Sequence, residues 1–152
     1  MLERLQQLVA DASQLNSKLV VVVSNSRSGK TALLTAFAQS QDLQVINVGS
    51  DLSKNLVPIT SSQRSSDVMG TLRDLISDHR KRGEVVLDNI EVMFDAELRM
   101  SPFDALKRLA HAVTVIVAWP GNFRDGRLHY AKPGHPEHCD VGIDGAIVLE
   151  LN

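Results

Sequence analysis

Residues 18–31 read K-L-V-V-V-V-S-N-S-R-S-G-K-T, an apolar run that passes directly into a polar loop. The run from Lys18 to Val23 is rich in β-branched side chains and does not alternate between apolar and polar residues. Such runs are typical of strands buried on both faces, as in parallel sheets. The segment from Thr31 to Gln39 follows with the Ala- and Leu-rich composition of a helix. The sequence therefore predicts a buried strand, a polar loop and a helix in immediate succession.

The polar loop fits the Walker A pattern G-x-x-x-x-G-K-[ST] except at its first position, where Ser24 replaces glycine. In this motif the backbone N–H groups surround a phosphate, and the following helix directs its N-terminus at the same group. Gly29 lets the chain approach the phosphates closely, Lys30 reaches the β- and γ-phosphates, and the Thr31 hydroxyl binds Mg²⁺. The predicted nucleotide-binding residues are Ser24, Asn25, Ser26, Arg27, Ser28, Gly29, Lys30 and Thr31.

Two alternatives stay open at this loop. A serine-rich turn could contain Gly-Lys-Thr by chance, although its position between a buried strand and a helix favours the nucleotide-binding interpretation. Ser24 either keeps the shape of the loop or lowers its affinity for nucleotide.

A P-loop also needs an acidic residue at the end of a neighbouring strand to hold Mg²⁺. Asp88 ends the apolar run 85–87 and is predicted to be this magnesium partner, together with Thr31. The alternative is an Asp that caps a turn after a strand. Asn89 stands where many ATP-hydrolysing relatives carry a glutamate base, and an amide can orient a water but cannot accept its proton. Glu91 is a further candidate base, so we expect hydrolysis to be slow or to need a partner. The predicted catalytic residues are Lys30, Asp88, Asn89 and Glu91.

The base of the nucleotide is predicted to be adenine. The [NT]-K-x-D segment through which GTPases bind guanine does not occur in the sequence. The predicted cofactors are therefore ATP and Mg²⁺.

Strands and helices alternate along the chain, which predicts parallel strands joined by right-handed crossovers. The segment from Gly49 to Gln63 is predicted to be irregular, with one helical turn before Pro58. The helix that follows is predicted to be capped by Ser65 or Ser66 and to end at Gly83. Strands are predicted at 18–23, 43–48, 84–88, 114–119, 128–131 and 146–151, and helices at 1–15, 31–39, 68–79 and from 101 onward. The predicted fold class is α/β of the P-loop NTPase type, a mostly parallel central β-sheet flanked by helices on both faces.

Size and composition limit the classes of protein. A chain of 152 residues is predicted to form one domain, 1–152. The net charge of −2 does not indicate DNA contact, since phosphate contacts need a basic surplus. Cys139 is the single cysteine, no apolar run is long enough to cross a bilayer, and the N-terminus lacks the pattern of a signal peptide. The expected location is the cytoplasm, without membrane contact.

Several further side chains are weaker candidates. Asn122 could sense the γ-phosphate, and Trp119 could pack near the base or a partner; the alternative is a surface turn with Trp119 at the edge of the core. Arginine-finger candidates, for each of which a solvated surface charge is the simpler interpretation, are Arg64, Arg99, Arg124 and Arg127. A zinc site is a minor hypothesis against a structured loop, and its ligands would be His129, His135, His138 and Cys139.

With these residues placed, nearly the whole chain resembles the small P-loop proteins (BrxF) of type 3 BREX bacteriophage-exclusion systems. The P-loop and the segment 87–91 are shared by a very large superfamily. The specific part of the resemblance lies in Ala118-Trp119-Pro120-Gly121 and in Tyr130-Ala131-Lys132-Pro133-Gly134-His135-Pro136-Glu137. The resemblance implies a role in bacterial antiviral defence beside a larger ATPase, a DNA methyltransferase, a helicase and a phosphatase-like protein.

Three functions are compatible with these features. The first is an ATP- and Mg²⁺-binding component, a weak or partner-activated ATPase or nucleotide switch within an antiphage assembly. The second is a small-molecule kinase, which would need a lid and an acceptor pocket with a base. The third is a non-catalytic interaction module that retains the P-loop fold, which Ser24 and Asn89 favour. Homo-oligomerisation is a further expectation, because the sequence offers no obvious arginine finger in cis.

Overall fold

The computed structural model describes residues 1–25, 29–79 and 83–151. Its strands are β1 (Leu19–Ser24), β2 (Val45–Asn47), β3 (Glu84–Asp88), β4 (Thr114–Ala118), β5 (Asn122–Arg124), β6 (Arg127–Tyr130), β7 (Cys139–Gly142) and β8 (Ile147–Leu151). Its helices are α1 (Leu2–Ala12), α2 (Lys30–Ser40), α3 (Val48–Leu56), α4 (Ser61–His79) and α5 (Pro102–Leu109), with 3₁₀ turns at Ile90–Phe94 and Ala96–Leu98.

Five strands form the central sheet in the order β2-β3-β4-β1-β8, and each neighbouring pair is parallel. In this order β4 separates β1 from β3, which carries Asp88. Val21 at the centre of β1 lies beside Val117 on one side and Val148 on the other. Every residue of β1 and β4 is buried, which explains their continuous apolar runs. The predicted α/β fold with a parallel central sheet is confirmed.

Helices cover both faces of this sheet. Successive side chains of a strand point to opposite faces, so each central strand contributes to a core on either side. Leu19, Val21 and Val23 join a core built with α3, α4 and α5. Val20 and Val22 join a second core built with α1 and α2. The sheet is thus the middle layer of three.

A second sheet is antiparallel, in the order β5-β6-β7. Arg124 and Arg127 are cross-strand partners on either side of Asp125 and Gly126, which have φ of 53° and 73°. Positive φ at both central residues is the geometry of a type I′ hairpin turn, for which Asp-Gly is a preferred sequence. The strand predicted at 128–131 is confirmed as β6, whereas the short polar strands β5 and β7 were missed.

The prediction of an irregular segment from Gly49 to Gln63 is wrong. Val48, Leu52 and Leu56 are buried at helical spacing, and Asn47 caps α3 by accepting a hydrogen bond from the Ser50 amide at 3.1 Å. The next helix begins at Ser61, so Ser65 and Ser66 lie inside it and do not cap it. The apolar residues of this helix recur only at every fourth position, and the polar residues between them obscured that helical spacing in the sequence.

The other boundaries lie close to the predictions. Ser101 and Pro102 begin α5 as expected, with Pro102 in the first helical turn. The first helix ends at Ala12, three residues before Leu15, which is exposed. Among the described helices, none combines the length and the apolar character that a bilayer crossing requires.

Candidate functional site

The turn from β1 into α2 has the geometry that a phosphate-binding loop requires at its two described ends. Ser24 is buried at the carboxyl end of β1. Gly29 is the N-cap of α2 with φ of 100°, a conformation that side chains other than glycine rarely adopt. The backbone amides at the start of α2 therefore face the edge of the sheet where β1 ends. The predictions for Ser26, Arg27 and Ser28 lie outside the described residues.

Asn25 connects this loop to both sheets. Its side-chain amide donates to Glu150 Oε2 of β8 at 3.3 Å, and its Oδ1 accepts the Phe123 amide of β5 at 3.4 Å. These contacts hold the beginning of the loop between the last strand of the central sheet and the first strand of the small sheet.

Thr31 and Asp88, the two predicted magnesium ligands, are in direct contact. The Thr31 hydroxyl donates to Asp88 Oδ2 at 2.8 Å. The other carboxylate oxygen accepts the Asn89 amide, also at 2.8 Å, and Asp88 is 9% exposed at the end of β3. A hydroxyl and a carboxylate are hard oxygen ligands, which Mg²⁺ prefers. Asp88 does accept a local backbone hydrogen bond, as the capping alternative predicted, but its second oxygen accepts from Thr31 of α2.

Lys30 lies beside this pair and is half-buried. Its Nζ donates to the backbone carbonyl of Trp119, just beyond β4, at 2.7 Å. Burial lowers the pKa of Lys30, while the carboxylates of Asp88 and Glu91 act in the opposite direction. The ammonium is thus partly desolvated, and an anionic ligand in front of it would favour its charged form.

A cleft of about 430 Å³ opens in front of these groups. Its described lining consists of Lys30, Thr31, Asp88, Asn89, Glu91, Ala118, Pro120 and Tyr130. Glu91 lines the cleft from the 3₁₀ turn after β3 and is exposed. Asn89 joins the strand to that turn with φ of 55°, in the left-handed region that Asn tolerates better than most residues. The predicted catalytic residues Lys30, Asp88, Asn89 and Glu91 are therefore brought together.

Tyr130 in the cleft lining was missed as a site residue. It lies 42 positions after Asp88 in the sequence and belongs to no phosphate-binding motif. The Asp125-Gly126 turn predicts the hairpin that contains β6, but it does not predict that this hairpin lies at the end of β4.

Trp119 does not contact the cleft through its ring, and the suggestion that it packs near the base or a partner is wrong. The side chain is 0% exposed and packs edge-to-face against Phe94 and Phe103. Its indole N–H donates to the His129 carbonyl at 2.9 Å. Trp119 thus buries its large apolar ring in the core, while its indole N–H finds a backbone acceptor.

Asn122 lies on β5 and is absent from the described lining of the cleft. Its Oδ1 is buried, and no hydrogen-bond partner is found for it among the described residues. Its role as a γ-phosphate sensor stays a prediction.

The arginine-finger candidates lie outside the described lining of the cleft. Arg64 donates from Nε to the carbonyls of Leu56 and Ile59, both at 3.0 Å, and so binds the C-terminal end of α3. Arg127 is paired with Asp140 across the small sheet, with 2.6 Å between Nε and Oδ1. Arg124 is exposed on β5 beside the hairpin turn. Arg64 and Arg127 thus have structural partners within the chain.

The zinc hypothesis finds no support in the geometry. Within residues 1–25, 29–79 and 83–151 there is no group of three or more His, Cys, Asp or Glu side chains placed to hold a metal ion. His135 instead accepts the Glu137 amide at Nδ1, at 3.0 Å, as in a structured loop. A magnesium site with one carboxylate, one hydroxyl and phosphate oxygens would not require such a group.

Comparisons with known proteins add little. No protein-family model matches the chain, and no curated protein matches it at a significant level. Ten chains of solved structures match, among them one from a structure described as Drosophila ORC bound to DNA, with 18% identity and a TM-score of 0.48. That match covers 98% of this chain and 41% of the other, so this chain spans less than half of that neighbour's length.

Proposed function

We propose that this protein binds ATP with Mg²⁺ in the cleft at the carboxyl ends of β1, β3 and β4. The observation that carries the proposal is the 2.8 Å hydrogen bond between the Thr31 hydroxyl and Asp88. Thr31 lies in α2, which follows β1, and Asp88 ends β3, which is not a neighbour of β1 in the sheet. The two residues are 57 positions apart in the sequence. Their contact, beside Lys30 and at the head of α2, is the arrangement that a phosphate-bound divalent cation needs.

Each side chain has a distinct task in this proposal. Lys30 would exchange the Trp119 carbonyl for a phosphate oxygen, which is a stronger acceptor because it is charged. Thr31 and Asp88 would present oxygen ligands, Asp88 directly or through water. When bound, the cation would neutralise charge on the β- and γ-phosphates. The backbone amides of the first turn of α2 would donate hydrogen bonds to the remaining phosphate oxygens.

Slow or partner-dependent hydrolysis is the activity that fits the cleft best. Asn89 can orient a water but cannot take its proton. Glu91 is the carboxylate of the described lining that would remain free to act as a base once Asp88 holds the cation. Glu91 is exposed, however, so its position against a substrate water would depend on what closes the cleft.

Mg-ATP binding by wild type and two variants tests the proposal, with Lys54→Ala as a control. Lys30→Ala and Asp88→Asn should each weaken binding by at least about tenfold, since each removes a charged partner of the phosphates or the cation. Lys54 lies exposed in the last turn of α3 and is absent from the cleft lining, so its variant should bind like wild type. Isothermal titration calorimetry with and without Mg²⁺ measures these affinities. Equal affinity of all four proteins would refute the proposal.

We also propose a role in antiphage defence beside a larger ATPase, a DNA methyltransferase and a phosphatase-like protein. This part of the proposal rests on the resemblance of the Trp-Pro-Gly and Pro-Gly-His-Pro-Glu segments to the small P-loop proteins of type 3 BREX systems. The cleft lies beside the small sheet, which is exposed at Arg124 and Asp125. Partner proteins that contact this sheet could therefore respond to a nucleotide in the cleft. Co-purification of the chain with these partners, with and without Lys30→Ala, is the direct test of that part.

A further inference from the structure

Tyr130 enters the nucleotide cleft from outside the central sheet. It is the last residue of β6 and lines the same cleft as Lys30, Thr31, Asp88 and Glu91. It is also the single tyrosine of the chain. A phenol at this position is a hydrogen-bond donor that the P-loop and the Asp88 strand do not supply.

The ring of Tyr130 is held in place by the core. It packs on Phe94, with 4.1 Å between ring centroids and an interplanar angle of 36°. Phe94 is itself buried and packs edge-to-face on Trp119. The aromatic contact therefore fixes the direction of the ring without using its hydroxyl.

The backbone of Tyr130 is positioned by the segment that also contacts Lys30. The Trp119 indole N–H binds the carbonyl of His129, the residue before Tyr130. Gly121 lies so close to β6 that an added Cβ would be 2.7 Å from the His129 carbonyl carbon and 3.0 Å from Tyr130 Cα. Because the Trp119 carbonyl accepts from Lys30 Nζ, one short segment holds both Lys30 and the strand that ends in Tyr130.

The hydroxyl has the chemistry of a donor to an anion. Burial raises the pKa of Tyr130, and the carboxylates of Glu137 and Glu91 raise it further, so the phenol keeps its proton at neutral pH. No hydrogen bond of this hydroxyl is found to any residue in the described ranges 1–25, 29–79 and 83–151. A protonated phenol with no such partner can donate its proton in a hydrogen bond to an acceptor oxygen of a ligand in the cleft.

We propose that the Tyr130 hydroxyl donates a hydrogen bond to the terminal phosphate of a bound nucleoside triphosphate. This inference rests on the proposed function of the cleft. Tyr130 would be a specificity residue that favours the triphosphate over the diphosphate. Since β6 is part of the small sheet, loss of the terminal phosphate would release this contact between the nucleotide and that sheet.

Tyr130→Phe is the sharpest test, because it removes the oxygen and keeps the ring on Phe94. We expect the dissociation constant for the β,γ-imido analogue of ATP with Mg²⁺ to rise about tenfold, the lower end for a hydrogen bond to a charged group. The dissociation constant for Mg-ADP should not change. Thermal unfolding of the variant checks that the fold is retained, and the ratio of the two affinities is independent of a general loss of active protein.

The outcomes separate this inference from the proposed function. An unchanged ratio of triphosphate to diphosphate affinity in Tyr130→Phe, or an equal loss for both nucleotides, would overturn the role of Tyr130. If Lys30→Ala nevertheless weakens the binding of both nucleotides, the proposed function is still supported and only the role of Tyr130 is refuted. If wild type binds neither nucleotide, both ideas fail together.

Discussion

At the scale of single residues, the cleft combines groups whose protonation depends on burial and on each other. The pKa of Lys30 is lowered by burial, and that of Tyr130 is raised by burial and by two carboxylates. Both shifts have the same physical origin, since the charged form of each group is poorly solvated in the cleft. An anionic ligand would favour the charged form of Lys30 and the neutral, hydrogen-bond-donating form of Tyr130.

The alkaline titration of Tyr130 tests this description. The groups that face it are Glu137 in the loop between β6 and β7, Glu91 after β3, and Lys30 and Asp88 across the cleft. The midpoint of tyrosinate formation, followed by near-ultraviolet absorbance, should lie above 10.0, and in the unfolded chain it should return to about 10.

The same shift has a consequence for stability. Between the unfolded pKa and the raised folded pKa, the native state binds more protons than the unfolded state, so the free energy of unfolding should fall as pH rises. Tyr130→Phe should lose this part of the pH dependence. A tyrosinate midpoint at or below 10.0 in the folded protein would contradict the assignment.

At the scale of secondary-structure elements, the contact of the Trp119-Pro120-Gly121 segment with β6 attaches the small sheet to the central one. Gly121 has room for no side chain, because backbone atoms of His129 and Tyr130 occupy the place of a Cβ. Because these are backbone atoms, they cannot move aside by a change of rotamer as a flexible side chain could. The fixed position of Tyr130 in the cleft depends on it.

Gly121→Ala should therefore destabilise the protein by about 2–4 kcal/mol and weaken Mg-ATP binding in the fraction that still folds. Gly70→Ala is the matched control, since Gly70 lies in α4 with no atom within 4 Å of an added Cβ. Removing this glycine from a helix interior should stabilise the fold by up to about 1 kcal/mol. Chemical denaturation measures both, and a neutral Gly121→Ala would show that β6 does not pack this closely.

At the scale of the whole molecule, stability depends on covering both faces of a fully buried sheet. The first helix covers one of them with Leu5, Leu8, Val9 and Ala12. Its remaining face is polar, and its own propensity would not keep eleven residues helical in water. The helix and the sheet thus stabilise each other through the apolar contact between them.

Leu5→Ala should lower the free energy of unfolding by about 2–5 kcal/mol, the range for truncating a buried leucine. Leu15→Ala is the control from the same predicted helix, since Leu15 is 39% exposed and lies after the end of α1. We expect it to change stability by less than about 0.5 kcal/mol. Equal effects of the two substitutions, measured by urea denaturation, would mean that α1 does not pack on the sheet as described.

The sequence by itself determined the parallel sheet, the passage from a buried strand through a loop into a helix, and the placement of Asp88. These features depend on neighbours in the chain: continuous β-branched runs, a glycine before a lysine, and a carboxylate directly after a strand. The polar stretch 49–63 was mispredicted as irregular for the same reason, because its three buried positions in α3 are too sparse to stand out among polar neighbours.

Only the tertiary structure decided which distant residues meet. The sequence did not specify that β4 lies between β1 and β3, that Trp119 belongs to the core, or that Arg64 binds the end of α3. Tyr130 enters the cleft because a two-residue turn folds β6 back onto the end of β4, where Gly121 has room for its backbone. Such contacts result from the packing of whole elements against each other, and no local pattern of residues encodes them.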